Sequence, residues 1–386
     1  MPYFNSKNIL KPMHLIVLEN EPSSLRGGQE LSLFEVCRGL SQRGHTISLL
    51  YLKEGNLLKQ YQEFCAQVVN ISSYMLDRST INQTFNFFTD ILKISRGKNS
   101  VVYSNRYHDV FFGYILALFK NIPFVCHLRL PPPDGFGRPH TIGLNGVKQF
   151  ITISNQTKLD WIKSGFKAEK IDVVYNAINS EVFKPTANFS LLRKEWNISK
   201  DIQVISYVGR LDKEKGLETL IKAFALLIKS GNNSKLLIAG KPLSTEPEYK
   251  NSLEQLATNL GVEKSVSFLG HVTDTPSLYQ VSDITVLPST WPEPFGRTII
   301  ESMACGTPAL ASRIGGIPEI LTGEFQAGLF EPGNERDLSN TINKIINWRE
   351  RDPELDQRCR AHVLSNFDQE KMIDSIEKII MKIVKE

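Results

Sequence analysis

Twice along this chain, short apolar runs alternate with amphipathic, helix-length stretches, and that alternation limits the possible folds more than any other feature. The first series comprises HLIVLEN (14 to 20), TISLLYL (46 to 52), VVYS (101 to 104), FVCHLRL (124 to 130), FITIS (150 to 154) and IDVVYN (171 to 176). A polar stretch, NAINSEVFKPTANFS (176 to 190), interrupts it. The series then restarts with QVISYVG (203 to 209), KLLIAG (235 to 240), VSFLG (266 to 270), DITVLPS (283 to 289) and TPALAS (307 to 312). Strands alternating with helices imply parallel sheet. At 386 residues the chain exceeds the size at which single cores split. Two α/β units of similar size, joined near residues 177 to 190, are therefore expected.

Charge and cysteine usage narrow the partners. With 45 Lys plus Arg against 41 Asp plus Glu, the formal charge of +4 is spread along the chain. That argues against a nucleic-acid binder and leaves room for a local anion site. Cys37, Cys65, Cys126, Cys305 and Cys359 are scattered, with no Cys-x-x-Cys pair and no histidine at zinc-ligand spacing, so reduced thiols in a cytoplasm are expected. The first twenty residues lack the basic and apolar regions of a signal peptide, and no later stretch is apolar enough to span a membrane. In KMIDSIEKIIMKIVKE, Met372, Ile373, Ile376, Ile379, Ile380, Ile383 and Val384 share one helical stripe. Docking on the protein's own core is the commoner use of such a stripe; a peripheral contact at the inner membrane face is the other.

Three segments place polar chemistry where α/β folds bind ligands, at the carboxyl ends of strands. In SYVGRLDKEKGLETLIKAF (206 to 224), a strand ends at Gly209, and Arg210 and Lys215 precede a helix whose first N–H groups suit a phosphate. A solvated turn is the bland reading. In STWPEPFGRTIIESMACGTPALAS (289 to 312), Glu293 lies just before a helix expected to begin near Phe295 or Gly296, and Glu301 lies within it. Eight residues span roughly 12 Å along a helix, too far for an acid and base acting on one bond, but suited to two parts of an extended ligand. The backbone N–H groups of Phe295, Gly296 and Arg297 would then face phosphate. A helix-capping Glu293 and a solvent-facing Glu301 form the competing reading. In the first unit, Gly27 and Gly28 open a helix after a strand, and His127 ends another strand. A tight turn and a buried structural histidine are the alternatives there.

The chain contains no Gly-x-Gly-x-x-Gly after a strand, no P-loop, no Gly-x-Ser-x-Gly and no Asp-x-Asp, which disfavours dinucleotide dehydrogenases, P-loop enzymes, serine hydrolases and a carboxylate-bound metal.

Together, GGQE (27 to 30), His127, GRLDKEKG (209 to 216), EPFGRTIIE (293 to 301), SMACGTPALAS and GGIPEIL resemble the retaining glycosyltransferase family 4. The resemblance implies α/β architecture of the GT-B kind, two Rossmann-like domains facing across a cleft. It places an acceptor-side domain over residues 1 to 180, a nucleotide-sugar-binding domain over 181 to 368, and a C-terminal helix, 369 to 386, crossing back to the first. It also implies a nucleotide-diphosphate sugar as donor, no metal or other cofactor, and retention of anomeric configuration. By motif, Arg210 and Lys215 would neutralise the diphosphate and stabilise the leaving group. Glu301 would hold the ribose, Glu293 with the backbone from Phe295 to Arg297 the transferred sugar, and Gly27 and Gly28 would approach the diphosphate beside Gly209. His127 would lie near the reacting centre. Many members carry an acidic residue after that histidine, whereas Leu128 and Arg129 follow it here. The acceptor is unassigned, with lipid-linked sugar, polysaccharide and small molecule all open. A GT-B epimerase or phosphorylase and a non-catalytic nucleotide-sugar-binding subunit are the competing functions.

Overall fold

The computed structural model describes residues 11 to 25, 27 to 75, 81 to 242 and 247 to 385, with the side chains of 81 to 83 left aside. The chain divides into two compact units, residues 1 to 174 with 370 to 386, and residues 175 to 369. The first boundary falls after 174 rather than after 180. Tyr175 packs on Phe295 and Phe367, with ring centroids 6.0 and 5.6 Å away, and Ile178 N–H donates to the Phe367 carbonyl at 3.1 Å, so these residues belong to the second core.

In the first unit the described strands are β1 (His14–Glu19), β2 (Thr46–Tyr51), β3 (Gln67–Asn70), β4 (Ser100–Ser104), β5 (Phe124–Leu128), β6 (Gln149–Thr152) and β7 (Ile171–Val173). They form one parallel sheet in the order β3-β2-β1-β4-β5-β6-β7. The second unit contains β8 (Gln203–Val208), β9 (Ser234–Ala239), β10 (Val266–Gly270), β11 (Ile284–Leu287), β12 (Ala309–Ser312) and β13 (Leu329–Phe330), again parallel, ordered β10-β9-β8-β11-β12-β13. Both orders reverse once, between β1 and β4 and between β8 and β11. Such a reversal opens a crevice outside the strands' carboxyl ends, the ligand position of doubly wound sheets. β3 and β13 are not announced by the apolar runs. Both are short edge segments, QVVN and LF, whereas the other edge strands, β7 and β10, lie in the longer apolar runs IDVVYN and VSFLG.

Central strands are buried on both faces, as helical cover on a parallel sheet requires. Trp161, Phe150 and Phe124 fill the first core, and Tyr207, Phe224 and Phe330 the second. The helix Gln369–Lys385 belongs to the first unit. Its residues Met372, Ile373, Ile376, Ile380 and Ile383 are buried, and Ile373 fills the space at Gly39, where an ideal Cβ would lie 2.1 Å from its Cδ1. Arg43 clamps the same helix by donating to Glu370 and Asp374 at 2.6 Å and to Glu377 at 2.7 Å, while His45 meets Glu377 at 2.8 Å. Most of the apolar stripe read from the sequence is thus used in internal packing, with Ile379 and Val384 partly exposed. Among the described residues, no helix is long and apolar enough to cross a membrane.

Candidate functional site

In the second unit, the loops after β8 and β11 are tied together at the switch point. Thr290 N–H donates to the Glu214 carbonyl at 2.9 Å, and Lys215 Nζ forms an ion pair with Glu293 Oε1, which also accepts from Ser289 Oγ at 2.7 Å. Among the described residues, no donor reaches Glu293 Oε2. Gly216, at φ +66°, starts the helix Leu217–Lys229 and could not carry a side chain, because its Cβ would sit 2.0 Å from the Pro288 carbonyl oxygen. Arg210 is half-exposed and makes only a long 3.5 Å contact with buried Asp212. Its backbone carbonyl accepts from Tyr207 Oη at 2.6 Å, and the same hydroxyl leaves no room for a side chain at Gly209, whose ideal Cβ would lie 2.7 Å from it.

Glu293 is also gripped from behind. Gly316 N–H donates to its carbonyl at 2.7 Å, and Gly315, at φ +61°, lies so close that a Cβ there would be 2.2 Å from the Glu293 oxygen. The helix itself is Arg297–Ala304, beginning later than Phe295, with Gly296 as its cap at φ +111°. Phe295 is a buried anchor on Phe367, ring centroids 5.6 Å apart. Glu301 is buried and oriented at both oxygens, taking Arg297 Nε at 2.7 Å and Tyr279 Oη at 2.9 Å. Burial drives the Tyr279 hydroxyl well above its ordinary pKa, with the neighbouring Glu301 charge adding to it, so it stays a donor. Neither bland reading of the glutamates survives: Glu293 caps no helix, and Glu301 does not face solvent.

Helix caps in this chain are of two kinds. Ser154, Asn188, Asp274 and Asn334 cap their helices by accepting a backbone N–H. Gly27, Gly216 and Gly296 provide no side-chain cap. Helix starts without a side-chain cap, which also occur at Leu57, Gly137 and Glu248, are of the kind that can receive an anion.

In the first unit, Gly27 at φ +151° leads into the helix Gly28–Gln42. That loop is held by Asn105, whose Nδ2 donates to the Gln29 carbonyl at 3.1 Å, while Arg129 Nε donates to Asn105 Oδ1 at 2.5 Å. Arg129 is buried, an unusual location for an arginine following a strand-end histidine. His127, inside β5, shares a 2.5 Å hydrogen bond between Nδ1 and Tyr103 Oη, and its buried Nε2 has no partner among the described residues. Burial, with Arg129 second, holds its imidazole neutral far below the usual histidine range. Glu19, at the end of β1, is buried, its Oε2 has no partner among the described residues, and burial plus the charge of Glu30 raise its carboxyl to about 8. Sequence reasoning missed Glu19, Tyr103, Tyr279 and Ser289. Each occupies a strand, helix or loop position that looks ordinary until the fold supplies its partner. Among the described residues, no three His, Cys, Asp or Glu side chains converge as metal ligands would.

Two parallel sheets with the same switch-point order, the second carrying cations, carboxylates and uncapped helix starts at that point, define the GT-B class of α/β proteins. Comparison with known proteins agrees. The family described as Glycosyltransferase Family 4 matches residues 26–182, and that described as Glycosyl transferases group 1 matches residues 188–362. The chain is 27% identical over 391 residues to the capsular polysaccharide biosynthesis glycosyltransferase CapM of Staphylococcus aureus, covering 97% of this chain and 98% of that one. Identity reaches 34% over 205 residues with an uncharacterized glycosyltransferase of Methanocaldococcus jannaschii, covering 51% and 50%. Of that protein and of other curated relatives, the chain spans only about half the length. The crystal structure of Anabaena HepE in complex with UDP-glucose superposes with a TM-score of 0.82 at 25% identity, covering 96% of this chain and all of that one (100%). The chain belongs to glycosyltransferase family 4, with the GT-B fold.

Proposed function

We propose that this protein transfers a sugar from a nucleotide-diphosphate sugar to an acceptor hydroxyl with retention of configuration and without a metal, in the synthesis of a polysaccharide or other glycoconjugate. The observation that carries this reading is the Lys215–Glu293 pair at the switch point of the second sheet, beside Arg210. Glu293 is the carboxylate that pairs with Lys215. A diphosphate arriving at the uncapped helix starts competes for that ammonium, drawing Lys215 and Arg210 toward the charge that grows as the leaving group departs. Glu293 Oε2 is then the acceptor for hydroxyls of the transferred sugar. Glu301, oriented by Tyr279 and Arg297, is the carboxylate that would accept from a ribose hydroxyl. The neutral His127, whose Nε2 has no partner among the described residues, suits a hydrogen bond to a sugar hydroxyl. In the transfer step, the acceptor oxygen bonds to the anomeric carbon on the face from which the phosphate oxygen leaves. The acceptor's proton passes to that phosphate oxygen.

Two similarities support the donor and product classes: HepE was solved with UDP-glucose, and CapM is named for capsular polysaccharide synthesis. Calorimetry with UDP, GDP and ADP, with and without EDTA, on wild type and Lys215→Ala tests the donor site. One nucleotide should bind despite EDTA and more weakly to the variant. Loss of all binding in EDTA overturns metal independence, and binding without turnover of any matching nucleotide-sugar favours the non-catalytic subunit. Anomeric configuration of the product, read by NMR, tests retention.

A further inference from the structure

The helices Ile81–Lys93 and Val110–Lys120 of the first unit each bury one apolar face, Phe87 and Ile91 from the former and Phe112 and Leu116 from the latter. Each also presents a second apolar face to solvent. Phe85 is 67% exposed and Leu92 70%, three and four residues to either side of Phe88, which is itself open on the same helical face. Leu118 and Phe119 add 56% and 59% exposure from the other helix, and the rings of Phe88 and Phe119, with centroids 5.7 Å apart, join the two surfaces. An amphipathic helix serving only its own core keeps its outer face polar, so a joined patch of large side chains calls for an occupant.

The charges around it indicate which. Between residues 84 and 122 the acids are Asp90 and Asp109, both buried and held by Lys93 and Arg106. Arg96 and Lys98 are exposed, and Lys120 partly so. Beside Leu118, a groove of about 390 Å³ continues the surface past Ile122, Lys148, Ile383 and Val384. Two copies of this face would oppose cation to cation, whereas an anionic bilayer satisfies both the apolar patch and its rim. We infer that the face built from Phe85, Phe88, Leu92, Leu118 and Phe119 docks the first unit on an anionic lipid surface, with Arg96, Lys98 and Lys120 at headgroup level. This surface meets only the end of the C-terminal helix, at Ile383 and Val384, the rest of whose stripe is mostly buried, and makes a lipid-borne acceptor the first class to try.

The test is co-sedimentation of the full chain with vesicles of phosphatidylcholine alone and of phosphatidylcholine mixed with phosphatidylglycerol. Binding should require phosphatidylglycerol and weaken with salt. Phe85→Ser with Leu92→Ser should lower partitioning by about ten-fold or more per side chain, and Lys98→Glu with Lys120→Glu by about five-fold per cation. Phe85, Leu92 and Lys98 are exposed and Lys120 partly so, so thermal unfolding should change little in both double variants, and nucleotide affinity, which the proposed function assigns to the second unit, should be unchanged. Vesicle binding that is absent, or present and indifferent to both variants, overturns the proposal. Absence of vesicle binding together with self-association that the apolar variant abolishes assigns the face to a second copy instead.

Discussion

Gly315→Ala isolates how backbone packing aims Glu293. At φ +61° the residue is in the left-handed region, where an L side chain costs about 1 to 2 kcal/mol. The added Cβ would also lie 2.2 Å from the Glu293 carbonyl oxygen and 2.7 Å from its nitrogen. Relieving that overlap moves the Glu293 peptide by about an ångström, since non-bonded carbon and oxygen settle near 3.2 to 3.5 Å. The carboxylate that receives Lys215 and Ser289 moves with it. A displacement of that size at reacting groups costs on the order of a hundred-fold in turnover. With strain included, the second unit should lose about 2 to 4 kcal/mol, or roughly 5 to 15 °C in melting temperature. Gly323→Ala is the matched control, because Gly323 has φ +60° and nothing within 4 Å of an added Cβ. It should show the backbone cost alone and keep its turnover. Donor turnover and differential scanning calorimetry on both variants decide the matter. If Gly315→Ala turns over within a few-fold of the control, the claim that Gly315 sets the position of Glu293 is refuted.

Four further outcomes are expected. Lys215→Ala should lower turnover by orders of magnitude with the fold intact, and unchanged turnover would remove it from the leaving-group role. Tyr279→Phe deletes one hydrogen bond to Glu301, so nucleotide affinity by calorimetry should fall by about ten-fold, the value of a charge-assisted bond; undiminished affinity would separate Glu301 from the nucleotide. Arg129→Ala should raise the acceptor KM, through Asn105 and the loop it holds as well as through any direct contact of residues 129 to 139, and acceptor kinetics identical to wild type would discard that idea. For Glu19, the ordinary carboxyl value of 4.5 rises to about 8 in the folded chain. Its contribution to stability is therefore fully present below 4.5 and lost as pH rises through 8. On the order of a few kcal/mol rides on that titration, and Glu19→Gln should flatten the fall in melting temperature across this window. An unaltered pH profile would show that Glu19 titrates normally.

Much of this was legible in the residues because periodicity and turn chemistry are local. The apolar runs mark the central strands of both sheets, buried on two faces, and Gly209, Arg210, Lys215, Glu293, Gly296 and Glu301 stand out at strand ends and helix starts. β3 and β13 escaped because QVVN and LF do not stand out as apolar runs, whereas the edge strands β7 and β10 sit in IDVVYN and VSFLG. The boundary at 174 escaped because it depends on Tyr175 meeting Phe367, far along the chain. Sequence alone determined the two α/β units and the residue types available at their loops. Only the tertiary structure decided that Lys215 pairs with Glu293, that Tyr279 orients Glu301, that Gly315 presses on the Glu293 backbone, and that most of the C-terminal stripe is buried while another apolar face stays open. Each of those facts joins residues brought together by strand order, and the physical reason is that strand order follows from how whole faces pack, which no window of neighbouring residues records.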